Sequence, residues 1–283
     1  KTKASVSCGG CRPLVAALIR LAAAAGPGGG GTPEPAVCGC ADMGHAAIKE
    51  AVRAETFDSA EEAMAALGWK RPSGCPTCRG ALRYYIELEK AAFAPAGLSS
   101  VTRANGDRSP GLRVRTGSAR ASASGEAFVL TPPELGSELE ASFQGLRLPA
   151  PAEAAVSGGA NDPVGHLVSA FGLLSAPAGW ELYGGGHAEH PVKPAQLVAA
   201  GLPEALALDM AVACVQWYRH SAFYGEAVWE WIDRVGLSAV RERLLDPETR
   251  EEWLDSWRAE RTGAMRSAGA DESVTHAEEA AVR

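Results

Sequence analysis

Two pairs of cysteines carry the chemistry that this chain could do: Cys38-Gly39-Cys40 and, further on, Cys75-Pro76-Thr77-Cys78. Cysteines one or two residues apart already lie within ligand reach of a common centre. Two such pairs supply four soft thiolates, the donor set of structural zinc or of an iron–sulfur cluster. Residue types alone do not choose between the two. The elements around the cysteines must bring the pairs together. Ser59-Ala60-Glu61-Glu62 has the spacing of a capping box, and it opens a short helix with Met64 and Leu67 on one face and Gly68 as its stop. Cys75 and Cys78 fall at the start of a further helix, whose first turn tolerates Pro76 because that position needs no amide hydrogen. Free amide N–H groups and the positive end of the helix dipole at such a start stabilise thiolates and an anionic cluster.

The run Val37-Cys38-Gly39-Cys40-Ala41-Asp42, a helical stretch from Ala46 to Ala54, the second helix near Ser59 to Leu67, and Gly74-Cys75-Pro76-Thr77-Cys78-Arg79 follow one another in an order that resembles the bacterioferritin-associated-ferredoxin-like [2Fe–2S] domain. Within that family, the run from Gly68-Trp69-Lys70-Arg71-Pro72 through Tyr84-Tyr85-Ile86 is similar to the second such domain of NAD(P)H-dependent assimilatory nitrite reductase large subunits. The resemblance implies a [2Fe–2S] cluster held by Cys38, Cys40, Cys75 and Cys78 and used for electron transfer in nitrite assimilation. It also implies two partners, a flavin-containing reductase domain or subunit and a nitrite reductase small subunit, with FAD on a missing or partner domain. A non-redox interaction module with structural zinc is the alternative.

Cys8-Gly9-Gly10-Cys11-Arg12 echoes the pattern of Cys75 to Arg79 and again leads into an apolar helix, Leu14 to Ala23. It looks like the tail of a preceding copy of the same domain, so residues 1–25 are expected to be the C-terminal half of a truncated repeat whose other cysteine pair lies before Lys1. Cys8 and Cys11 are then an orphaned half-site. A redox dithiol, or a ligand pair shared across a dimer, are the other readings of a lone pair of this spacing.

A chain of 283 residues with 46% hydrophobic content has room for two modest domains, while its 32 glycines and 18 prolines mark many breaks. A net charge of −7 argues against a nucleic-acid or anionic-membrane partner, since phosphate binding needs clustered basic surface. The basic stretch from Arg103 to Arg120 is rich in Ser and Gly and lacks aromatic residues, which suits a solvated linker. No run approaches the roughly 20 apolar residues of a membrane span. Leu14 to Ala25 is interrupted by Arg20 and preceded by thiols, unlike a secretory signal. Cysteines spaced as ligands point to a reducing compartment, hence the cytoplasm. The composition divides the chain into a Gly/Pro linker at 26–36, the cysteine domain at 37–92, a linker at 93–124, a second unit at 125–261 and a disordered tail at 262–283.

The second unit carries its own resemblance. Leu135 to Glu140, Gly145 to Pro149, Ala155-Val156-Ser157-Gly158, Phe171 to Leu174, Gly179 to Gly186, Val215 to Arg219 and Trp231 to Leu237 are similar to the C-terminal part of the sirohaem nitrite and sulfite reductase module. The expected fold class is therefore α+β, a small mainly helical [2Fe–2S] domain followed by a degenerate α+β remnant of that module. In the family, a segment like Val156-Ser157-Gly158 runs into a C-x-x-x-C pair that holds a [4Fe–4S] cluster beside sirohaem. Gly159 and Pro163 stand in those places here, and the stretch from Ser118 to Phe128, where the other pair would fall, has no cysteine. Neither group can be held in the family's manner, so sirohaem and [4Fe–4S] are expected to be absent and the chain alone is not expected to turn nitrite into ammonia.

Three further candidates read more simply as structure. Leu206, Met210, Cys214 and Trp217 share a helical face, which makes Cys214 a buried thiol. His187, Glu189 and His190 follow three glycines in what reads as a solvated loop, although they could hold a metal or an anion. Gly184-Gly185-Gly186 lacks the lysine and hydroxyl of a phosphate loop and by resemblance would approach the prosthetic group.

Overall fold

The computed structural model describes residues 34–93, 112–117, 131–159 and 165–262. Within them the chain forms two hydrophobic cores, one mainly helical around the four cysteines and one α+β.

The first core is built by α1 (His45–Ala54), α2 (Ala60–Ala66) and α3 (Pro76–Phe93). Ile48 and Val52 of α1, Ala63 and Met64 of α2, and Leu82, Tyr84 and Tyr85 of α3 are buried together, at the helical spacing that puts one face of each inward. Gly44 precedes α1 and has no side chain to cap it. The carboxylate of Glu34 accepts the amide hydrogens of His45 at 3.0 Å and Ala46 at 2.9 Å instead. At α2 the Ser59 hydroxyl accepts from Glu62 N–H at 3.1 Å, while the Glu62 carboxylate reaches back to Asp58 N–H at 2.7 Å, one residue earlier than a standard capping box. Gly68 leaves the helix at φ +71°, the left-handed conformation that suits glycine at a helix stop.

The second core lies between a five-stranded sheet and helices. The strands β1 (Arg113–Thr116), β2 (Glu153–Ser157), β3 (Phe171–Ala176), β4 (Gly179–Gly184) and β5 (Gln196–Leu202) stand side by side in chain order. β1, β2 and β3 are parallel, with α4 (Pro132–Ser142) connecting β1 to β2; β4 and β5 are antiparallel additions. Behind them runs α5 (Glu204–Ser221), buried from Met210 to Arg219, covered in turn by α6 (Val228–Val235), α7 (Leu237–Leu245) and α8 (247–262). Phe171, Tyr218, Trp231, Trp217 and Trp253 form a chain of ring contacts through this core, with centroids 5.0 to 6.4 Å apart. None of the helices among the described residues is long and apolar enough to cross a membrane.

One element corrects the sequence reading. β1 falls inside the stretch 93–124 that the composition suggested was a linker. Arg113-Val114-Arg115-Thr116 has a single strongly apolar residue, and it is the parallel pairing with β2, from Arg113 opposite Glu153 to Thr116 opposite Val156, that makes it a strand. Arg115 ties it further, donating to Ser169 Oγ at 3.2 Å.

The two cores meet along α3. Tyr84 Oη donates to the carbonyl of Arg219 at 2.6 Å, Lys49 Nζ to that of His220 at 2.7 Å, and Tyr224 N–H to Tyr85 Oη at 2.9 Å. Arg147 pairs with Glu87 at 3.0 Å, and Tyr224 packs so closely on Gly80 that a Cβ there would lie 2.5 Å from its hydroxyl. The α5 carbonyls that receive these bonds are held from below by Glu260 of α8. Its fully buried carboxylate accepts from Gln216 at 2.8 Å and from His220 at 2.6 Å and pairs with Arg219. Burial alone would raise the Glu260 carboxyl, but the His220 hydrogen bond and the Arg219 guanidinium outweigh it and hold the group below the ordinary carboxylate range.

Glu260→Gln leaves the Arg219 guanidinium buried without its counter-charge, and is expected to cost about 3–5 kcal/mol. A carboxyl depressed in the folded state stabilises above its unfolded pKa and loses that contribution as pH falls through the folded value. Urea unfolding followed by tryptophan fluorescence should therefore show the gap between the two proteins widest near neutrality and closing in acid.

Candidate metal centre

Cys38 and Cys40 sit in a tight loop closed by Val37 N–H donating to Met43 C=O at 3.0 Å. Lys70 N–H donates to Cys40 C=O at 2.9 Å, which ties this loop to the segment that follows α2. The second pair arrives through a turn at Gly74, where φ is +59° and Gly74 N–H donates to Arg71 C=O at 2.9 Å. A Cβ on Gly74 would lie 2.6 Å from Met64 Sδ and 3.0 Å from Cys78 Sγ, so both the backbone and the space require glycine. Cys75 immediately precedes α3, and Cys78 lies in its first turn.

All four Sγ atoms lie within 4.8 Å of one another. Cys75 N–H points at Cys78 Sγ at 3.1 Å and Cys40 N–H at Cys38 Sγ at 3.4 Å, so amide donors already face the sulfurs. Each pair contributes one buried cysteine, Cys40 and Cys78, and one half-buried cysteine, Cys38 and Cys75. Gly39, Pro76 and Thr77 beside them are exposed, so the centre is anchored in the core and edged by solvent. The sulfurs are not electrostatically equivalent. Burial pushes Cys38 up to about 12 and raises Cys40, whereas the Cys78 amide hydrogen bond is the main cause that draws Cys75 down to about 6. A cation held here would displace protons from Cys38 and Cys40.

This donor set fits a group that takes four thiolates. A single tetrahedral ion with bonds of about 2.3 Å needs sulfurs about 3.8 Å apart, and the Cys75–Cys78 separation of 3.7 Å is of that size; a two-iron cluster takes the same four ligands in pairs. Among the described residues, no other three or more His, Cys, Asp or Glu side chains converge in this way. His187 is paired through its backbone with Lys193, and it does not share a ligand cluster with Glu189 and His190. Gly186 presses on the backbone of Ser169, and Gly185 N–H donates to Ala170 C=O at 2.9 Å, so this glycine run serves close backbone packing. Cys214 is fully buried in the other core, where burial pushes its thiol up to about 12. Gly159 lies two residues past the end of β2 and has no side-chain donor. Cys8, Cys11, Pro163 and the stretch from Ser118 to Phe128 lie outside the described residues. Sequence reasoning overlooked the Lys70 amide and the side chain of Trp69, which packs in the core of this site; the signal was an aromatic placed between the helix stop and the second cysteine pair.

Residues 36–87 match the family described as the BFD-like [2Fe-2S] binding domain. The chain is 28% identical over 323 aligned positions to the nitrite reductase [NAD(P)H] of Bacillus subtilis (strain 168), covering 89% of this chain and 40% of that protein. It is 25% identical over 312 positions to the assimilatory nitrate reductase electron transfer subunit of the same organism, covering 90% of this chain and again 40% of the relative. The chain thus spans about two fifths of the length of these curated relatives.

Gly74→Ala should strain the turn and displace Met64 or Cys78, costing about 1–3 kcal/mol in the cysteine unit and lowering the metal held per chain. Gly39→Ala, where nothing lies within 4 Å of an added Cβ, should leave both unchanged. Thermal unfolding and metal analysis on the two variants side by side check this.

Proposed function

We propose that Cys38, Cys40, Cys75 and Cys78 ligate a [2Fe–2S] cluster and that the chain relays single electrons from a flavin-containing reductase domain or subunit into nitrite assimilation, with a nitrite reductase small subunit as a further partner. The observation that carries this reading is the convergence of the four sulfurs inside the segment that matches a [2Fe-2S] binding family. The two relatives, a nitrite reductase [NAD(P)H] and an assimilatory nitrate reductase electron transfer subunit, support a role in electron transfer for nitrogen assimilation. When bound, a [2Fe–2S] cluster accepts and returns one electron. The protein's part is to hold the four thiolates, to offset their charge with the amides of Cys40, Cys75 and Cys78, and to keep water from Cys40 and Cys78 while leaving the Cys38 and Cys75 side near a partner's surface.

In this reading residues 37–92 are the electron-transfer domain, and 125–261, extended by β1, derive from a sirohaem reductase module. Gly159 and Pro163 offer iron no side-chain donor, so neither sirohaem nor a [4Fe–4S] cluster belongs to this chain, and FAD sits on another domain or subunit. Cys8 and Cys11 repeat the spacing of Cys75 and Cys78 and are a half-site of the same kind. The thiolate centre suits the reducing cytoplasm. The second reading is an interaction module with structural zinc, favoured by the approach of all four sulfurs to within 4.8 Å of one another, which suits four thiolates gathered on a single tetrahedral ion.

Protein prepared without oxygen should be brown, hold about two irons and about two acid-labile sulfides per chain, and give an EPR signal on reduction. Cys38→Ser or Cys75→Ser should lower all three readings, and Cys214→Ser should change none. The same preparation should show no sirohaem absorption and consume no nitrite above a blank. Stoichiometric zinc without labile sulfide would replace this reading with the structural one.

A further inference from the structure

Trp69 is 6% exposed and packs in the same core as the four cysteines, yet its indole Nε1 is buried and meets no acceptor in the protein. Buried donors in folded proteins are almost always paired, because an unpaired one forfeits its bond to water and gains nothing. The two tyrosines of this core follow the rule: Tyr84 Oη and Tyr85 Oη are both hydrogen-bonded. The backbone of Trp69 is held beside the site. Trp69 N–H donates to Met64 C=O at 3.0 Å, and the next residue, Lys70, donates to Cys40 C=O at 2.9 Å. Met64 Sδ and Cys78 Sγ press on the same point above Gly74. The Trp69 backbone is therefore tied to Met64 on one side and, through Lys70, to the Cys40 loop on the other, and its side chain packs in the core that holds Cys40, Met64 and Cys78. Two other buried side-chain atoms lack a partner among the described residues, Gln216 Oε1 and Trp253 Nε1, and both belong to the core behind the sheet.

We propose that the Trp69 indole N–H donates a hydrogen bond to a sulfur of the cluster held by Cys38, Cys40, Cys75 and Cys78, and that this bond positions its reduction potential. The inference rests on the cluster reading above. Its physical basis is that a donor aimed at sulfur stabilises the reduced state, which carries more negative charge, and so raises the potential. The cysteine sulfurs of the free protein do not accept it, so the acceptor is a sulfide that the cluster brings with it, and the indole, being rigid and apolar elsewhere, can deliver one hydrogen while excluding water from Cys40 and Cys78.

The test uses the full chain with its cluster assembled. Trp69→Phe keeps most of the ring volume and removes the N–H. It should shift the midpoint potential to a more negative value and reduce the change in the iron–sulfur stretching bands on exchange into heavy water. Trp253→Phe, which removes the comparable orphan donor in the other core, should alter neither. A measurement without any substitution protects against a folding defect in Trp69→Phe. Protein labelled with indole nitrogen-15 tryptophan should show a nitrogen-15 coupling to the reduced cluster by pulsed EPR, and this coupling should vanish in labelled Trp69→Phe. An unshifted potential together with no such coupling overturns the proposal and leaves the indole hydrogen to a buried water. If the unmodified chain assembles no iron and sulfide at all, the cluster reading itself fails, and this inference with it.

Discussion

The backbone hydrogen bond from Lys70 N–H to Cys40 C=O holds together two loops that are distant in sequence and must deliver sulfur to one point. With that bond made, the stretch from Cys40 to Lys70 is a closed lobe, and α1 and α2 within it bury Ile48, Val52, Ala63 and Met64 against α3. Trp69, immediately before Lys70, is then forced inward. The chain must next reverse at Gly74 at positive φ, because any side chain there would strike Met64 or Cys78. α3 starts directly after Cys75, so its first-turn amides face the sulfurs. Helix dipole, free amides and thiolates thus meet because the loop geometry leaves them no other place.

α3 also binds the second core. Cys78 lies in its first turn, Gly80 receives Tyr224, and Tyr84 and Tyr85 hydrogen-bond to Arg219 and Tyr224, so centre and seam share two turns of one helix, a rise of about 10 Å at 1.5 Å per residue. The seam uses carbonyls near the C-terminal end of α5 that have no partner within their own helix. Lys49 donates to one of them, and its burial there lowers its ammonium to about 8. Glu260 beneath fixes the turn that presents those carbonyls, so a residue of α8, far along the chain from the cysteines, governs how the cysteine unit is seated.

Local signals made much of this legible. The spacing of Cys38, Cys40, Cys75 and Cys78 announced the centre, Gly68 announced a helix stop, and the stripe of Met210, Cys214 and Trp217 announced a buried face. What escaped depends on long-range pairing. β1 is held by its register with β2 rather than by its own alternation. Glu34 caps α1 from across a proline-flanked segment, where no residue beside Gly44 could hint at it. Tyr224, Lys49 and Tyr84 show ordinary sequence contexts and gain meaning only where the two cores touch. Trp69 was visible as an aromatic near the second cysteine pair, but its unpaired nitrogen is a property of the folded core.

X-ray absorption at the iron and zinc edges on the intact chain tests the cluster most directly. A [2Fe–2S] cluster held by these cysteines should show iron with sulfur as its only near neighbour and a short iron–iron vector, both lost together when Cys78 is replaced by serine. A zinc edge with four sulfur neighbours and no metal–metal vector would contradict it.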